Sequence, residues 1–323
     1  GTAGPDQLTN DLSPIIQEII DRPGWTSGNS IVIITDDAST GKRTADSEDT
    51  NAPVLSITYE PGVAFAVGQF NLRNSAGLQS ITDVGFQPKA YILIATPNEF
   101  DDQNSVNGLG SNTDISIGMT DGKNSFAMVA GTEDNVGTSD AGRNGREQYV
   151  LLHLNDNGAH NTNGAIQHVS MDAEGFTIDL VDNYVNPANG PLVTYIAFGG
   201  DGVTANVGLV DLDPANNGVV RHSGIGFEPD LLVSSYIGAF TRNNGINEVH
   251  ESSFSVGWAI NPDIQATNNQ FSVMVHSEEN AGVSDTRARF DTVRAGTAMD
   301  NANAQDASFE VTGFDDKIGR AHV

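Results

Sequence analysis

Seven histidines, 42 carboxylates and two tryptophans carry most of the chemistry open to this chain. His153, His160, His168, His222, His250, His276 and His322 include no His-x-Glu-x-x-His or His-x-x-x-His pair, the spacing that sets two imidazoles on one helical face around zinc. His153 and His160 lie seven positions apart, across a strand end and an Asn-rich loop, and make only a weak seed for a metal site. No Gly-x-Ser-x-Gly nucleophile elbow occurs, and Gly108–Ser111 reads as a flexible loop. Glycoside hydrolysis needs two acids facing each other across a sugar, and Glu133, Asp134, Glu147, Glu248 and Glu251 show no spacing that pairs them. The expectation is a chain that is not an enzyme.

Two binding chemistries have better candidates. Asp211, Asp213, Asn216 and Asn217 present oxygen donors at short spacing before Gly218, as a calcium loop would, although no Glu closes the twelfth position of an EF-hand. Asp101-Asp102-Gln103-Asn104 and Asp36-Asp37 are weaker versions of the same pattern. Asn and Asp also fill ordinary turns through local hydrogen bonds, so calcium is the candidate cofactor and not a requirement. Trp25, Tyr184, Tyr236 and Trp258 could stack on sugar rings. Trp25 follows Pro23-Gly24 and is equally placed to pack a helix end. Trp258 answers Met119 in an internal repeat, an exchange typical of a core.

The elements that must position these side chains are written twice. Val84–Thr96, VGFQPKAYILIAT, returns as Gly226–Ile237, GFEPDLLVSSYI, with the Gly-Phe pairs 141 positions apart. Ile115–Thr120 (ISIGMT) answers Phe254–Ala259 (FSVGWA) at an offset of 139, and Phe126–Val129 (FAMV) answers Phe271–Val275 (FSVMV) at about 145. Glu174-Gly175-Phe176 answers Thr312-Gly313-Phe314 at 138. Four landmarks in one order indicate a duplicated β module.

Composition agrees. The apolar fraction is 38%, with 35 glycines and abundant Asn, Asp, Ser and Thr, the profile of many strands joined by polar turns. A formal net charge of −27, with no local cluster of Lys or Arg, repels a phosphate backbone and argues against nucleic-acid partners. The same charge favours solubility and attracts cations. Cysteine is absent, which removes disulfides, thiolate catalysis and Cys-based zinc sites. No apolar run reaches the roughly 20 residues that a membrane-spanning helix needs, so no membrane insertion is expected.

In chain order, Leu12, Ile15, Ile16, Ile19 and Ile20 fall on one helical face, which predicts a helix over 13–22 capped by Ser13, with Pro14 in its first turn and Pro23-Gly24 ending it. Strands are expected at Ile31–Thr35 and Pro53–Tyr59, and Glu60-Pro61-Gly62 reads as a hinge. Short alternating strands then recur without helices, and they predict two β-sandwiches, over 61–200 and 201–317. Within them Gly131–Gly145 reads as a loop and Val203–Leu212 as the opening strand of the second sandwich. The expected fold is all-β: tandem jelly-roll-like sandwiches behind one short N-terminal helix.

Ile16–Ile20 running into Arg22-Pro23-Gly24-Trp25, then Ser27-Gly28-Asn29, Arg43 and Ala52–Ile57 resemble the closing half of secreted DNRLRE-type β-sandwich domains, which are related to carbohydrate-binding modules. That likeness covers residues 1–60 and implies a partial sandwich with no transferable catalytic role. Gly85–Leu93, Gly175–Ile178 and Tyr195–Gly199 resemble the laminin-G-like or jelly-roll repeats of phage structural proteins and large secreted bacterial proteins. The second repeat matches the first two of these motifs and lacks the third. One codon choice for Ile318–Val323 reads as a sequencing adapter, so 318–323 are expected to be adapter-encoded, at the end of a reading frame cut from a longer gene. Together the resemblances imply an extracellular or cell-surface structural or adhesive module. Its expected partners are other copies of itself, neighbouring surface-protein domains, or a polysaccharide. The alternative is a carbohydrate-binding accessory region of a secreted polysaccharide-active enzyme.

Overall fold

A computed structural model describes residues 11–25, 29–31, 62–96, 113–133, 136–154, 162–182, 191–210, 219–237, 251–278, 281–283, 286–299, 305–314 and 318–322. The chain divides into two compact units, Gly1–Tyr59 and Glu60–Val323.

In the first unit, α1 spans Ser13–Ile20, and its N-cap is Leu12, which has no side chain able to cap. Ser13 is already helical; its N–H and hydroxyl both donate to Asp11 Oδ1, at 2.9 and 2.6 Å. The polar start expected of Ser13 is therefore supplied by Asp11, whose carboxyl pKa the two bonds from Ser13 lower. The helix stops two residues short of Arg22, because Gly24 takes a positive φ of 93° and folds the chain into a turn in which Trp25 N–H donates to Arg22 O. The strands expected at Ile31–Thr35 and Pro53–Tyr59 lie outside the described residues, apart from Ile31.

The second unit is almost wholly β. Its strands are β1 (Ala64–Asn71), β2 (Gly77–Ile81), β3 (Pro88–Ala95), β4 (Thr113–Thr120), β5 (Ser125–Glu133), β6 (Asp140–Glu147), β7 (Tyr149–Leu154), β8 (Thr162–Asp172), β9 (Gly175–Asp182) and β10 (Leu192–Gly199). They form a six-stranded sheet, β1-β10-β3-β4-β5-β6, facing a four-stranded sheet, β2-β9-β8-β7. Every pairing is antiparallel. Alternation sends Tyr91, Leu93, Val193 and Tyr195 inward, where they meet Phe176 and Ile178 from the facing sheet in one buried cluster. The Tyr91 ring stacks on Phe176 with centroids 4.1 Å apart.

The remaining strands are β11 (Val219–Ser223), β12 (Leu231–Tyr236), β13 (Glu251–Ile260), β14 (Gln270–Glu278), β15 (Thr286–Asp291), β16 (Gly296–Met299), β17 (Gln305–Gly313) and β18 (Ile318–His322). One sheet is ordered β12-β13-β14-β15 and the other β11-β18-β17-β16. Strand for strand, this repeats β3-β4-β5-β6 and β2-β9-β8-β7. The expected all-β sandwich architecture is what forms.

The landmarks show why these residues recur. A Cβ on Gly118 would overlap the carbonyl oxygen of Val150, and a Cβ on Gly257 would overlap that of Ala295. Glycine at these places lets β4 approach β7, and β13 approach β16, across the sandwich. Two residues earlier, Ser116 Oγ accepts from Leu152 N–H at 3.0 Å, and Ser255 Oγ accepts from Thr297 N–H at 3.3 Å. Each serine satisfies a buried backbone donor on the facing sheet. The Gly-Phe turns also match: Gly85 and Gly226 have φ of 83° and 82°.

Four expectations are corrected. Gly131–Gly145 is not a loop throughout, because Asp140–Glu147 pairs with β5 as β6; neighbour hydrogen bonds make it a strand despite its lack of apolar alternation. Val203–Val210 alternates in burial as β1 does, yet is not a strand, since among the described residues no strand pairs with it. Gly175 opens β9 whereas Gly313 closes β17, so the fourth landmark falls on opposite sides of the two hairpins. The cap assigned to Ser13 is the fourth.

Candidate functional site

A cleft of about 740 Å³ is walled by the β4–β5 turn (122–126), the Glu147-Gln148 junction, Gln167–Val169 of β8, and by Asn206–Leu209 with His222. Asp121 builds its rim. Its Oδ1 accepts from Lys123 and Asn124 N–H at 2.9 and 2.7 Å, closing the turn, while Oδ2 accepts from Val207 N–H at 2.9 Å and ties the second module's leading segment to the first module. Burial opposes the Asp121 charge, but the backbone donors of Asn124, Val207 and Lys123 outweigh it and hold the carboxyl pKa below its ordinary value. Gln148 adopts a left-handed φ of 72° and donates its N–H to Ser125 O at 2.8 Å. A non-glycine residue in that region stores strain of the order of 1 kcal/mol or more, a cost often found at functional positions.

His168 faces the same cleft. Burial lowers its pKa, opposed by the charges of Asp172 and Asp121, so the ring is neutral at pH 7. Burial first, then Asp172, raises the pKa of Tyr91, which keeps its proton. The tyrosine hydroxyl and His168 Nδ1 share a hydrogen bond at 2.9 Å, whose direction follows the imidazole tautomer. The wall thus offers amides (Asn124, Gln148, Gln167, Asn206), two imidazoles, Glu147 and Lys123. Such a set suits hydrogen bonding to a neutral polyhydroxyl ligand. In sequence His168 and His222 are only isolated histidines; a cleft assembled from five distant segments leaves no local motif.

A second cavity, about 610 Å³, lies where Asp114, Thr96 and Thr132 meet His276, Ser277 and Arg287. Asp114 Oδ2 bonds His153 Nδ1 at 2.9 Å, and both side chains are buried. The repeat does not copy this pair: Ser253 and Ala298 occupy the corresponding places. His153 is therefore a partner of Asp114 at the core's edge. Among the described residues no three His, Asp or Glu side chains converge as a metal site, and His160 lies outside them.

The glycan candidates are not gathered into one platform. Trp25 is half-buried behind the helix of the first unit. Trp258 is half-buried on the outer face of β13, edge-on to Phe271 with centroids 4.2 Å apart. Tyr236 faces the opposite side of that sheet and packs on the inner core, edge-on to Phe309 at 6.3 Å. Tyr184 and the calcium candidates Asp211, Asp213, Asn216 and Asn217 lie outside the described residues, as do Asp36-Asp37 and Asp101–Asn104.

Two surfaces matter beyond the clefts. The outer face of the six-stranded sheet is apolar, and Ile92, Ile117, Phe126 and Met128 are buried in one cluster with Ile237 and Phe254 of the second module. The sandwiches thus sit back to back. The other surface is the edge of β12 away from β13, beside which no strand lies among the described residues. No helix among the described residues is long and apolar enough to cross a membrane. No protein-family model matches the chain, and no curated protein matches it.

Proposed function

We propose that this chain is a non-catalytic, extracellular structural and adhesive part of a surface protein or self-assembling appendage, with sandwiches of the DNRLRE and laminin-G-like or jelly-roll kinds. The supporting observation is the back-to-back burial. An outer face carrying Ile92, Ile117, Phe126 and Met128 would be an aggregation hazard on a lone sandwich, and here it is covered by an apolar face of the second copy. The repeat's side chains thus serve sheet-on-sheet adhesion more than a reactive pocket. Its partners are further copies or neighbouring domains of the same surface protein. Sedimentation and electron microscopy test the reading: concentration-dependent ordered assembly supports it, and a strictly monomeric chain with turnover on a glycoside panel overturns it.

The second reading is a carbohydrate-binding accessory region, favoured by the amide-rich cleft around Gln148, His168 and Asn206. Glycan-array binding lost in Gln148→Ala, with the fold retained, supports it over a platform on Trp25 or Trp258. In either reading a calcium ion at Asp211, Asp213, Asn216 and Asn217 would be structural, and a Tm that falls on chelation and returns with calcium tests it.

A further inference from the structure

On β5 of the first module, Met128 and Ala130 point out of the sandwich and are buried against the second module. The equivalent strand of the second module is β14. Ala127 stands opposite Gly118 and Ser272 opposite Gly257, so Val273 matches Met128 and Val275 matches Ala130. Val273 is nevertheless 43% exposed and Val275 47%. The modules meet through the adjacent strand β13, whose Phe254 is buried in the shared cluster with Val256 packed against it. Residues directly opposite in an antiparallel pair share a face, so Val256↔Val273 and Phe254↔Val275 carry that face from the interface onto β14. Val273↔Phe290 then carries it to β15, where Phe290 is 63% exposed.

The face is continuous and uncharged. Trp258 and Phe271, paired across β13 and β14 and edge-on to each other, stand at one end, and Ala288 lies exposed beside Val275 at the other. A contiguous apolar area of this kind marks an interaction surface. On a chain of net charge −27 repulsion opposes the approach of two molecules, and it opposes it least where no charge has to be buried. The face also packs on its own kind within one chain, since the outer side of β13 covers Ile117, Phe126 and Met128 on the outer side of β4 and β5. A face complementary to its own repeat suits an isologous contact, in which one patch serves both partners.

We infer that the outward face of β14 and β15, centred on Val273, Val275 and Phe290, docks on the same face of a second molecule of this chain. The contact extends the layer between the modules, sheet face against sheet face. Removal of apolar area from water drives it, and the acidic remainder of each molecule opposes it. Added salt therefore tightens the contact, by screening the repulsion while leaving the apolar burial in place. The inference rests on the assembly reading and adds to it the surface through which two molecules meet.

The test is sedimentation velocity of the full chain over a range of protein and sodium chloride concentrations. Dimers that grow with both are expected. Val273→Lys and Phe290→Lys, both at exposed positions, should each weaken association by at least about tenfold while leaving the thermal transition unchanged. The chain has no cysteine, so Val273→Cys supplies a single attachment point. A short bismaleimide should join two molecules through it, and should not join them through Leu78→Cys, an exposed site on β2. Association that survives both lysine variants overturns this surface and leaves the assembly reading standing. A closed dimer that both variants abolish, with no larger species at any concentration, upholds the surface and overturns the open assembly. A chain that stays monomeric up to about 100 μM in high salt overturns both.

Discussion

β3 and β12 are the same strand folded twice under different conditions. Both follow a Gly-Phe-x-Pro turn with its glycine at φ near +82°, and both pair antiparallel with a strand bearing the Ser-x-Gly motif. Among the described residues β3 has neighbouring strands on both sides and β12 has one. Where β3 places Tyr91 and Leu93 in the core, β12 places Leu232 and Ser234, and Ser234 Oγ donates to the carbonyls of Gly257 and Ala295. The lesson is that burial along a strand is set by its sheet neighbours as much as by its own residues. A hydroxyl that satisfies a carbonyl does the work that packing does in the first copy.

Substitution can break that comparison most sharply at the paired positions. Tyr91→Ala should cost about 3–5 kcal/mol, since it empties a fully buried site stacked on Phe176, whereas Leu232→Ala should cost about 1 kcal/mol or less. Urea midpoints check it, and equal losses would mean that the strands are equivalent after all.

The next effect should be symmetric. Gly118→Ala and Gly257→Ala each force a methyl group into a carbonyl of the facing sheet, and each should lose about 1–3 kcal/mol by overpacking. A tolerated Gly257→Ala would show that the second sandwich is more open than the first. Ser116→Ala and Ser255→Ala leave the N–H of Leu152 or Thr297 unsatisfied, at about 1–2 kcal/mol each, with the larger loss at Ser116, where the bond is shorter.

The smallest effect is acid sensitivity, present in both halves. Burial opposes the charge on Asp121 and on Asp291, but donors outweigh it: backbone N–H groups at Asp121, and Val293 N–H with Arg294 and Arg289 at Asp291. Each pKa is lowered on folding, so each contributes stability that is fully present above the unfolded value of about 4 and is lost as pH falls through the folded value. Asp121→Asn and Asp291→Asn should therefore flatten the decline of Tm between about pH 4 and the folded pKa. An unchanged acid limb in both variants would contradict the assignment.

Much of the fold was legible because the duplicated residues are those the sandwich needs. Ser116-x-Gly118 and Ser255-x-Gly257 stand out in sequence because a close sheet approach demands both. β6 was not legible, since Asp140–Glu147 has no apolar alternation and takes its strand form from β5. Val203–Val210 misled in the opposite way: it has the alternation and lacks a partner strand among the described residues. The candidate cleft could not be read at all, because Gln148, His168, Asn206 and His222 meet only once two modules have packed. Trp258 and Tyr236 looked like one class of residue and lie on opposite faces of one sheet.

Residue-resolved hydrogen exchange on the free chain tests the central claim directly. The amides of Tyr91–Ala95 should be protected along both edges of β3, and those of Leu231–Ser235 only on alternate positions, where they donate to β13. Uniform protection along β12, matching β3, would mean that its edge is already paired and would contradict the account.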